Sequence, residues 1–178
     1  MRKLIRAAVF AVVLISILNI SAEKVSAQAT PTPVEYILPY PGILPDHPLY
    51  FIKKLRDETL LFFNRSPQKK VNILLLLADK KLVMGQMLLE EQKKEIAVMV
   101  LTEAENHFIK LIPFLIDMKD ENTLPVNIID KVELSIKKHK EIIDGLKSNM
   151  QNEDSNHDFE KVLNVNNQAY TQISSLKQ

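Results

Sequence analysis

Four histidines are the side chains in this sequence best suited to chemistry, because imidazole is the commonest metal ligand and acid–base group near neutral pH. They are His47, His107, His139 and His157. A di-iron helical bundle requires Glu-x-x-His on two helices and two further glutamates. The residue three positions earlier is alanine for His107, isoleucine for His139 and aspartate for His157, whereas His47 lies among prolines. The ferritin-type pattern is therefore absent from the sequence.

Two weaker patterns keep a metal-binding hypothesis open. Glu103 and His107 are one helical turn apart and could share a ligand, although such a pair is more often a surface contact. Met84 and Met87 suit a soft ion such as Cu(I), although core filling by flexible methionine explains them better. His139 follows an apolar stripe, where a histidine bonded to a neighbouring side chain is the commoner outcome. No metal ligand set and no cofactor site is predicted.

Nucleophilic and acid–base catalysis have no recognisable residues in this sequence. Cysteine is absent, and no serine lies in a Gly-x-Ser-x-Gly elbow. The paired acids Glu90–Glu91 and Asp120–Glu121 fall in polar stretches, where no pocket is expected to tune their pKa values. We therefore expect a protein that is not an enzyme.

The first 29 residues have the three parts of a secretory signal peptide. Arg2, Lys3 and Arg6 are followed by an apolar run over residues 7–20. Ala27-Gln28-Ala29 matches a cleavage site, with Val25-Ser26-Ala27 and Ile20-Ser21-Ala22 as alternatives. The apolar run is shorter than the roughly 20 residues of a membrane-spanning helix. We expect cleavage and export, with retention as an N-terminal membrane anchor as the alternative.

Composition limits the partners of the remaining chain. Removing residues 1–29 takes away four of the 23 basic and one of the 22 acidic residues, which leaves a net charge of −2. This balance argues against nucleic-acid binding, which needs a basic surface. Because the chain has no cysteine, its stability is expected to come from apolar burial rather than from disulfides. The chain has only three glycines, and this scarcity disfavours β architectures, which need tight turns.

A proline-rich strap over residues 30–47 precedes the helices. Six of the nine prolines lie between Thr30 and Pro48, so this segment cannot be helical and is expected to be extended. Its apolar residues are too many for a free linker. We expect it to lie across the bundle, with a docking peptide for another protein as the alternative.

Residues 48–178 predict an all-α antiparallel bundle of about four to five helices. A first helix is expected after Asp46 as N-cap, and the 3–4 spacing of Ile52, Leu55, Thr59 and Phe62 indicates a face for the core. Ser66 as N-cap followed by Pro67 predicts the start of a second helix.

The later helices follow from apolar positions that recur every three or four residues. The second helix includes Gly85 on its apolar face, where the missing side chain would let another helix approach closely. A turn is expected at residues 90–95, and Pro113 is expected to kink or end the third helix. Residues 48–118 form the core hairpin region. Pro125 is expected to open a C-terminal helical pair over residues 124–178, which could be a looser addition.

Three blocks of the sequence carry a family resemblance. They are Leu38-Pro39-Tyr40-Pro41-Gly42-Ile43-Leu44-Pro45-Asp46-His47-Pro48-Leu49-Tyr50-Phe51-Ile52-Lys53-Lys54-Leu55-Arg56-Asp57, Ala78-Asp79-Lys80-Lys81-Leu82 and Ala104-Glu105-Asn106. Together they resemble a bacterial family of exported helical domains of unknown function, with a proline-rich lead-in before a long helical hairpin. The resemblance implies compartment and fold, and it implies no activity.

The sequence thus favours an exported, non-enzymatic helical module that binds another protein or a component of the cell envelope. Tyr36, Tyr40 and Tyr50 are the candidate partner-binding residues, because tyrosine combines apolar area with a polar tip. The alternative is an exported metal-binding or stress-buffering protein that uses histidine and methionine side chains. A metal that binds the native state would raise the melting temperature.

Overall fold

Five α-helices follow one another along the chain in the computed structural model, which describes residues 33–149 and 153–177. The helices are α1 (Tyr50–Phe63), α2 (Pro67–Glu90), α3 (Lys94–Asp120), α4 (Ile128–Ser148) and α5 (Glu153–Ser175). The described residues contain no β-strand, so the predicted all-α class is confirmed. The predicted signal peptide and the first residues of the strap lie outside the described residues.

Local signals explain where the long helices begin and end. The Ser66 hydroxyl accepts a hydrogen bond from the Lys69 backbone, and Pro67 is the first helical residue, as predicted. After α2, Gln92 takes a left-handed conformation (φ 62°), and the Lys93 N–H donates to the Leu88 carbonyl. This is a Schellman ending with glutamine where glycine is usual. The turn expected at residues 90–95 is therefore present.

Helices α2 and α3 form the most extensive helix pair of the bundle, and α5 packs on both α3 and α4. The three-residue turn after α2 reverses the chain, so α2 and α3 are antiparallel. Helix α3 continues through Pro113 to Asp120 and does not end at the proline. All packing described here lies in the compact unit that begins at Pro33.

Apolar side chains from α2 to α5 share three buried clusters. The largest cluster contains Val71, Leu74, Leu75, Ala78, Phe108, Leu111, Ile112, Leu115, Met118, Ile128, Val132, Ile136, Ala169 and Ile173. A second contains Leu82, Leu101, Ile143, Phe159, Val162 and Leu163, and a third contains Met84, Leu88, Ala97 and Val100. Since α4 and α5 contribute to the first two clusters, the C-terminal pair is part of the bundle and is not a looser addition.

Gly85 lies where α2 and α3 come closest. A Cβ atom at this position would be 2.5 Å from Cγ and Cδ2 of Leu101 on α3. Carbon atoms do not approach so closely, so the space of the missing side chain is filled by Leu101. The prediction that Gly85 permits a close helix approach is confirmed.

Two predictions about helix starts are wrong. Asp46 does not cap α1: the N-cap is Leu49, without a side-chain bond, and the Asp46 carboxylate is paired with Lys93 instead. Helix α4 does not start at Pro125 but at Ile128, after Asn127 in a left-handed conformation (φ 63°). In both cases a further turn separates the proline, Pro48 before α1 and Pro125 before α4, from the first residue of the helix.

None of the described helices is both long and apolar enough to span a membrane.

Candidate functional site

Helix α1 differs from the other helices because none of its residues is buried. Its partly buried side chains are Tyr50, Lys53, Asp57 and Leu61, which recur at helical spacing and mark the side facing the bundle. Only Tyr50 and Leu61 among them bring apolar surface to this contact. Helix α1 is therefore attached to the bundle through a face that is half polar.

The opposite side of α1 is apolar and exposed to solvent. Successive residues of an α-helix are about 100° apart, so this surface covers roughly a third of the circumference and is centred opposite the bundle. Five side chains form it, and they are between 52% and 81% exposed. We call it the outward apolar face: Phe51, Ile52, Leu55, Phe62 and Phe63.

The expectation that Ile52, Leu55 and Phe62 face the core is therefore wrong. The periodicity identified an apolar stripe correctly, but the stripe points away from α2 and α3. The orientation of α1 is instead set by polar contacts on its other side. Contiguous exposed apolar surface of this kind is typical of protein or membrane interaction sites.

Lys53 ties α1 to the strap and to α2. Its ammonium group donates to the carbonyl oxygens of Pro41 at 2.8 Å and Ile43 at 3.2 Å, and it lies 3.8 Å from the sulfur of Met84. Partial burial, with repulsion from Lys80 among the further causes, lowers the pKa of Lys53 to about 8. The apolar stripe of α1 therefore cannot rotate inward without breaking the bonds of Lys53 to the strap.

A cavity of about 460 Å³ lies between α1, α2 and α3. Its lining includes Tyr50 and Leu61 from α1 together with Lys81, Glu103 and His107. Lys81 is paired with the Glu103 carboxylate, and His107 bonds through Nδ1 to the Glu103 carbonyl oxygen. Burial, reinforced by the nearby Lys81 charge, lowers the pKa of His107 to about 4. Lys81, Glu103 and His107 therefore already have protein partners, and the lining also includes the charged residues Lys54, Glu58 and Lys110.

A second cavity of similar volume, about 460 Å³, lies on the other side of α1. It is lined by the strap residues Pro45 and His47, by Phe51 of α1 and by Met99 of α3, among others. Tyr50 lines both cavities, and burial raises the pKa of its phenol. Both cavities therefore adjoin the start of α1, and the residues that they share are Tyr50, Lys54 and Glu103.

The three tyrosines predicted as partner-binding residues have different surroundings. Tyr36 is partly buried, and its hydroxyl donates to Oδ2 of Asp79 at 2.6 Å. Tyr40 is 81% exposed, and Tyr50 lies between the two cavities. The structure therefore does not bring them together into one surface: Tyr36 anchors the strap, and only Tyr40 is open to solvent.

A polar network lies in the centre of the bundle and was not anticipated from the sequence. The Nδ1 atom of His139 is 2.7 Å from Oε1 of Glu105, and its Nε2 atom is 3.2 Å from Oδ1 of Asp79. Ser135 donates to Asp79 at 2.6 Å, and Asn166 donates to Glu105 at 2.7 Å. All five side chains are buried, and they come from four helices.

The charge of His139 follows from its neighbours. Burial alone would lower the pKa of the imidazole, but the Glu105 carboxylate, with help from Asp79, outweighs it and raises the pKa to about 9. His139 is therefore an imidazolium at neutral pH, with one N–H directed at each acid. The ring also packs edge-on against Phe108, with ring centroids 4.8 Å apart.

The histidines do not converge on a shared ion. The two ring nitrogens of His139 are occupied by carboxylates on opposite sides of the ring, so Asp79, Glu105 and His139 cannot surround one metal. His139 is thus bonded to neighbours, as expected. In the described part of the chain, no three His, Asp or Glu side chains have the geometry of a metal site. His157 is an exposed residue of α5.

A local signal could have pointed to the network. Asp79 and Glu105 each follow an alanine of the predicted apolar seams, Ala78 and Ala104, inside two of the blocks that carry the family resemblance. The signal is weak, because Glu103 is also next to Ala104 and is much more exposed than Glu105. For the outward apolar face, the signal was the charge on the other side of α1. The positions that face inward include Lys53 and Asp57, and charged residues on one side of a helix indicate that this side does not enter an apolar core.

Residues 42–177 match the model of a family described as a domain of unknown function, DUF5667. No curated protein and no solved structure matches the chain. The match begins at the glycine of the strap and includes all five helices, the polar network and the outward apolar face. The chain therefore belongs to the DUF5667 family.

Proposed function

We propose that this domain is a non-enzymatic binding module of the cell envelope, and that the outward apolar face of α1 is its binding surface. The observation that carries the proposal is the orientation of α1: its most apolar side is directed to solvent, whereas its polar side contacts the bundle. Leaving such a surface exposed has a free-energy cost of about 25 cal/mol for each Å² of apolar area. A partner that covers the face recovers this cost.

The attachment of α1 supports a binding role rather than incomplete packing. Lys53 holds the helix in place through carbonyl oxygens of the strap, and Leu61 packs on the main core cluster. The outward apolar face is therefore presented on a held helix, and binding would not need to order it first. Preorganised surfaces bind more tightly because less conformational entropy is lost.

The absence of enzymatic activity is part of the proposal. The buried acids Asp79 and Glu105 and the histidine between them line neither of the two cavities. A catalytic acid or base must reach its substrate within hydrogen-bond distance. The imidazole is instead enclosed by protein on every side, which suits a structural role.

Export is likewise proposed, on the basis of the three-part signal sequence over residues 1–29. The measurement is N-terminal sequencing of the protein recovered from envelope and culture-medium fractions of the cells that produce it. A start near residue 30 supports cleavage and export. An intact N-terminus in the membrane fraction supports the anchored alternative, and an intact N-terminus inside the cell contradicts export.

A photocrosslinker tests the binding surface itself. A photoactivatable residue replaces Leu55 in the outward apolar face, and in a matched control it replaces Leu134, an exposed apolar residue of α4. We expect an adduct of defined mass from position 55 in the envelope fraction and none from position 134. The adduct should disappear when Phe51→Ser and Phe62→Ser are added. Equal labelling at both positions, or none at 55, would contradict the proposal.

A further inference from the structure

We propose that the occupant of the outward apolar face is the surface of an anionic lipid bilayer, with α1 lying parallel to the membrane. This inference rests on the proposed function and names its partner. Three observations support it: the shape of the apolar face, the charge beside it and the charge of the rest of the domain.

The apolar face has the form expected of an interfacial helix. Helix α1 has 14 residues and is therefore about 21 Å long, too short to cross a bilayer. Its apolar residues include Phe51, Phe62 and Phe63, and they share one side of the helix, with Thr59 between Leu55 and Phe62. A helix with this arrangement lies in the plane of the membrane with its apolar side among the first carbons of the lipid chains.

Basic residues accompany the stripe. Residues 50–70 contain six basic and two acidic side chains, a net charge of +4. Arg56 is exposed beside the stripe and is paired with Asp57, whereas Lys54 is exposed at the edge of the two cavities. Arg65 and Lys69 are exposed just after α1. Anionic headgroups attract such residues by roughly fivefold in binding constant for each Lys or Arg near the surface.

The remainder of the domain has the opposite charge. Residues 71–178 contain thirteen basic and seventeen acidic side chains, a net charge of −4. An anionic membrane would therefore attract the α1 end and repel the rest of the domain, which orients it. A second copy is a less favourable occupant, because joining two copies through this face would bring the +4 charge of residues 50–70 against the same charge of the other copy.

The test uses a single tryptophan reporter, since the chain contains no tryptophan of its own. Phe62→Trp reports on the outward apolar face, and Leu134→Trp is the matched reporter on α4. The chain from Pro33 to Gln178 is used, because the described core lies entirely within it and the apolar run at residues 7–20 would otherwise bind lipid itself. The probes are vesicles of phosphatidylcholine alone and of phosphatidylcholine with an equal amount of phosphatidylglycerol.

We expect the reporter at position 62 to shift to the blue and to be quenched by brominated lipid in the anionic vesicles only. The reporter at position 134 should not respond. In the F62W chain, Phe51→Ser and Leu55→Ser should weaken binding at least tenfold, whereas Ile116→Ser and Leu134→Ser should change it less than twofold. Lys54→Gln with Lys69→Gln should weaken binding at least fivefold, and Lys131→Gln with Lys161→Gln should not.

Several outcomes would overturn the lipid proposal. No response at position 62 to either vesicle contradicts it, as does equal quenching at positions 62 and 134. A blue shift that depends on protein concentration without lipid assigns the face to a second copy. If the vesicles fail while the crosslink from position 55 to a protein persists, only the lipid proposal fails. If both fail, the outward apolar face is not a binding surface.

Discussion

His139 and Glu105 form a hydrogen-bonded pair in the centre of the bundle, with Nδ1 and Oε1 2.7 Å apart and both side chains fully buried. Two charges removed from water each lose several kcal/mol of hydration, which only close and complete bonding restores. The second nitrogen of His139 meets Asp79, and Asn166 bonds the other oxygen of Glu105. The pair is therefore stable only as part of the whole network.

The first prediction concerns pH. The pKa of His139 is about 9 in the folded protein and about 6.5 when exposed, so its stabilising contribution is complete below pH 6.5 and is lost as the pH rises towards 9. Between pH 6.5 and 8 we expect the free energy of unfolding to fall by about 1–2 kcal/mol. The window ends at pH 8 because the lowered pKa of Lys53 acts in the opposite direction above it. Urea unfolding at several pH values measures the change.

Two variants separate the sources of this pH dependence. His139→Gln should flatten the curve between pH 6.5 and 8. His107 has its pKa lowered to about 4, so its contribution is present above pH 6.5 and is lost as the pH falls towards 4. His107→Gln should therefore remove part of the acid loss and leave the alkaline side unchanged. An unchanged alkaline slope in His139→Gln would show that another group is responsible.

The second prediction is that Glu105→Ala destabilises the protein by about 3–5 kcal/mol. It removes the carboxylate that accepts from His139 and from Asn166, and each buried bond to a charged acceptor contributes about 1.5–3 kcal/mol. His139 then keeps only Asp79 as its counter-ion. Glu121→Ala is the control, because this acid is exposed after α3 and should change stability by less than about 0.5 kcal/mol. Denaturant unfolding of both variants at pH 7 checks the difference. Similar losses in the two variants would contradict the role of the pair.

The third prediction sets two glycines against each other. Gly85→Ala should destabilise by about 1–3 kcal/mol, because the new methyl group would overlap Leu101. Gly145→Ala should stabilise by about 0.5–1 kcal/mol, since it lies in α4 with no atom within 4 Å of the added carbon. Thermal unfolding compares the two. Leu101→Ala in the Gly85→Ala background should cost less than the sum of the single changes, and strict additivity would refute the contact.

The fourth prediction concerns the strap. Tyr36→Phe removes the donor to Asp79 and should lower stability by about 1–2 kcal/mol, since bonds to charged acceptors are the stronger ones. Burial, reinforced by Asp79, raises the pKa of Tyr36, so the phenol remains a donor at neutral and mildly alkaline pH. Tyr40→Phe should change stability by less than about 0.5 kcal/mol, because this side chain is exposed. Equal effects would mean that the strap is not anchored through Tyr36.

The sequence predicted the helices and their buried stripes well where apolar packing alone determines which side of a helix is buried. Ser66 and Pro67 announced the start of α2, and the stripe through Val71, Leu75 and Ala78 is buried. The same reasoning failed for α1, because periodicity identifies an apolar stripe but not the direction in which it points. That direction depends on the bonds of Lys53 to distant carbonyl groups, which no local pattern contains.

The polar network shows a second limit of sequence reasoning. His139 was correctly expected to bond to a neighbour, but the identity of the neighbour depends on the relative heights of three helices. Glu105 and Asp79 are 34 and 60 positions away from it in the chain. From the sequence alone, several acids on α2 and α3 are equally good partners for His139. The hydrogen bond from Tyr36 of the strap to Asp79 also has no local signal in the sequence.

The distribution of the network over four helices also governs how the chain can assemble. The α2–α3 hairpin is the most local part of the fold, yet closing it alone would bring Asp79 and Glu105 into an apolar interior without the imidazole of α4. Such an intermediate would bind protons or remain open to water, and its barrier to completion would depend on pH. We therefore expect the four helices to form together in one cooperative transition, in which the arrival of the C-terminal pair completes the first hairpin.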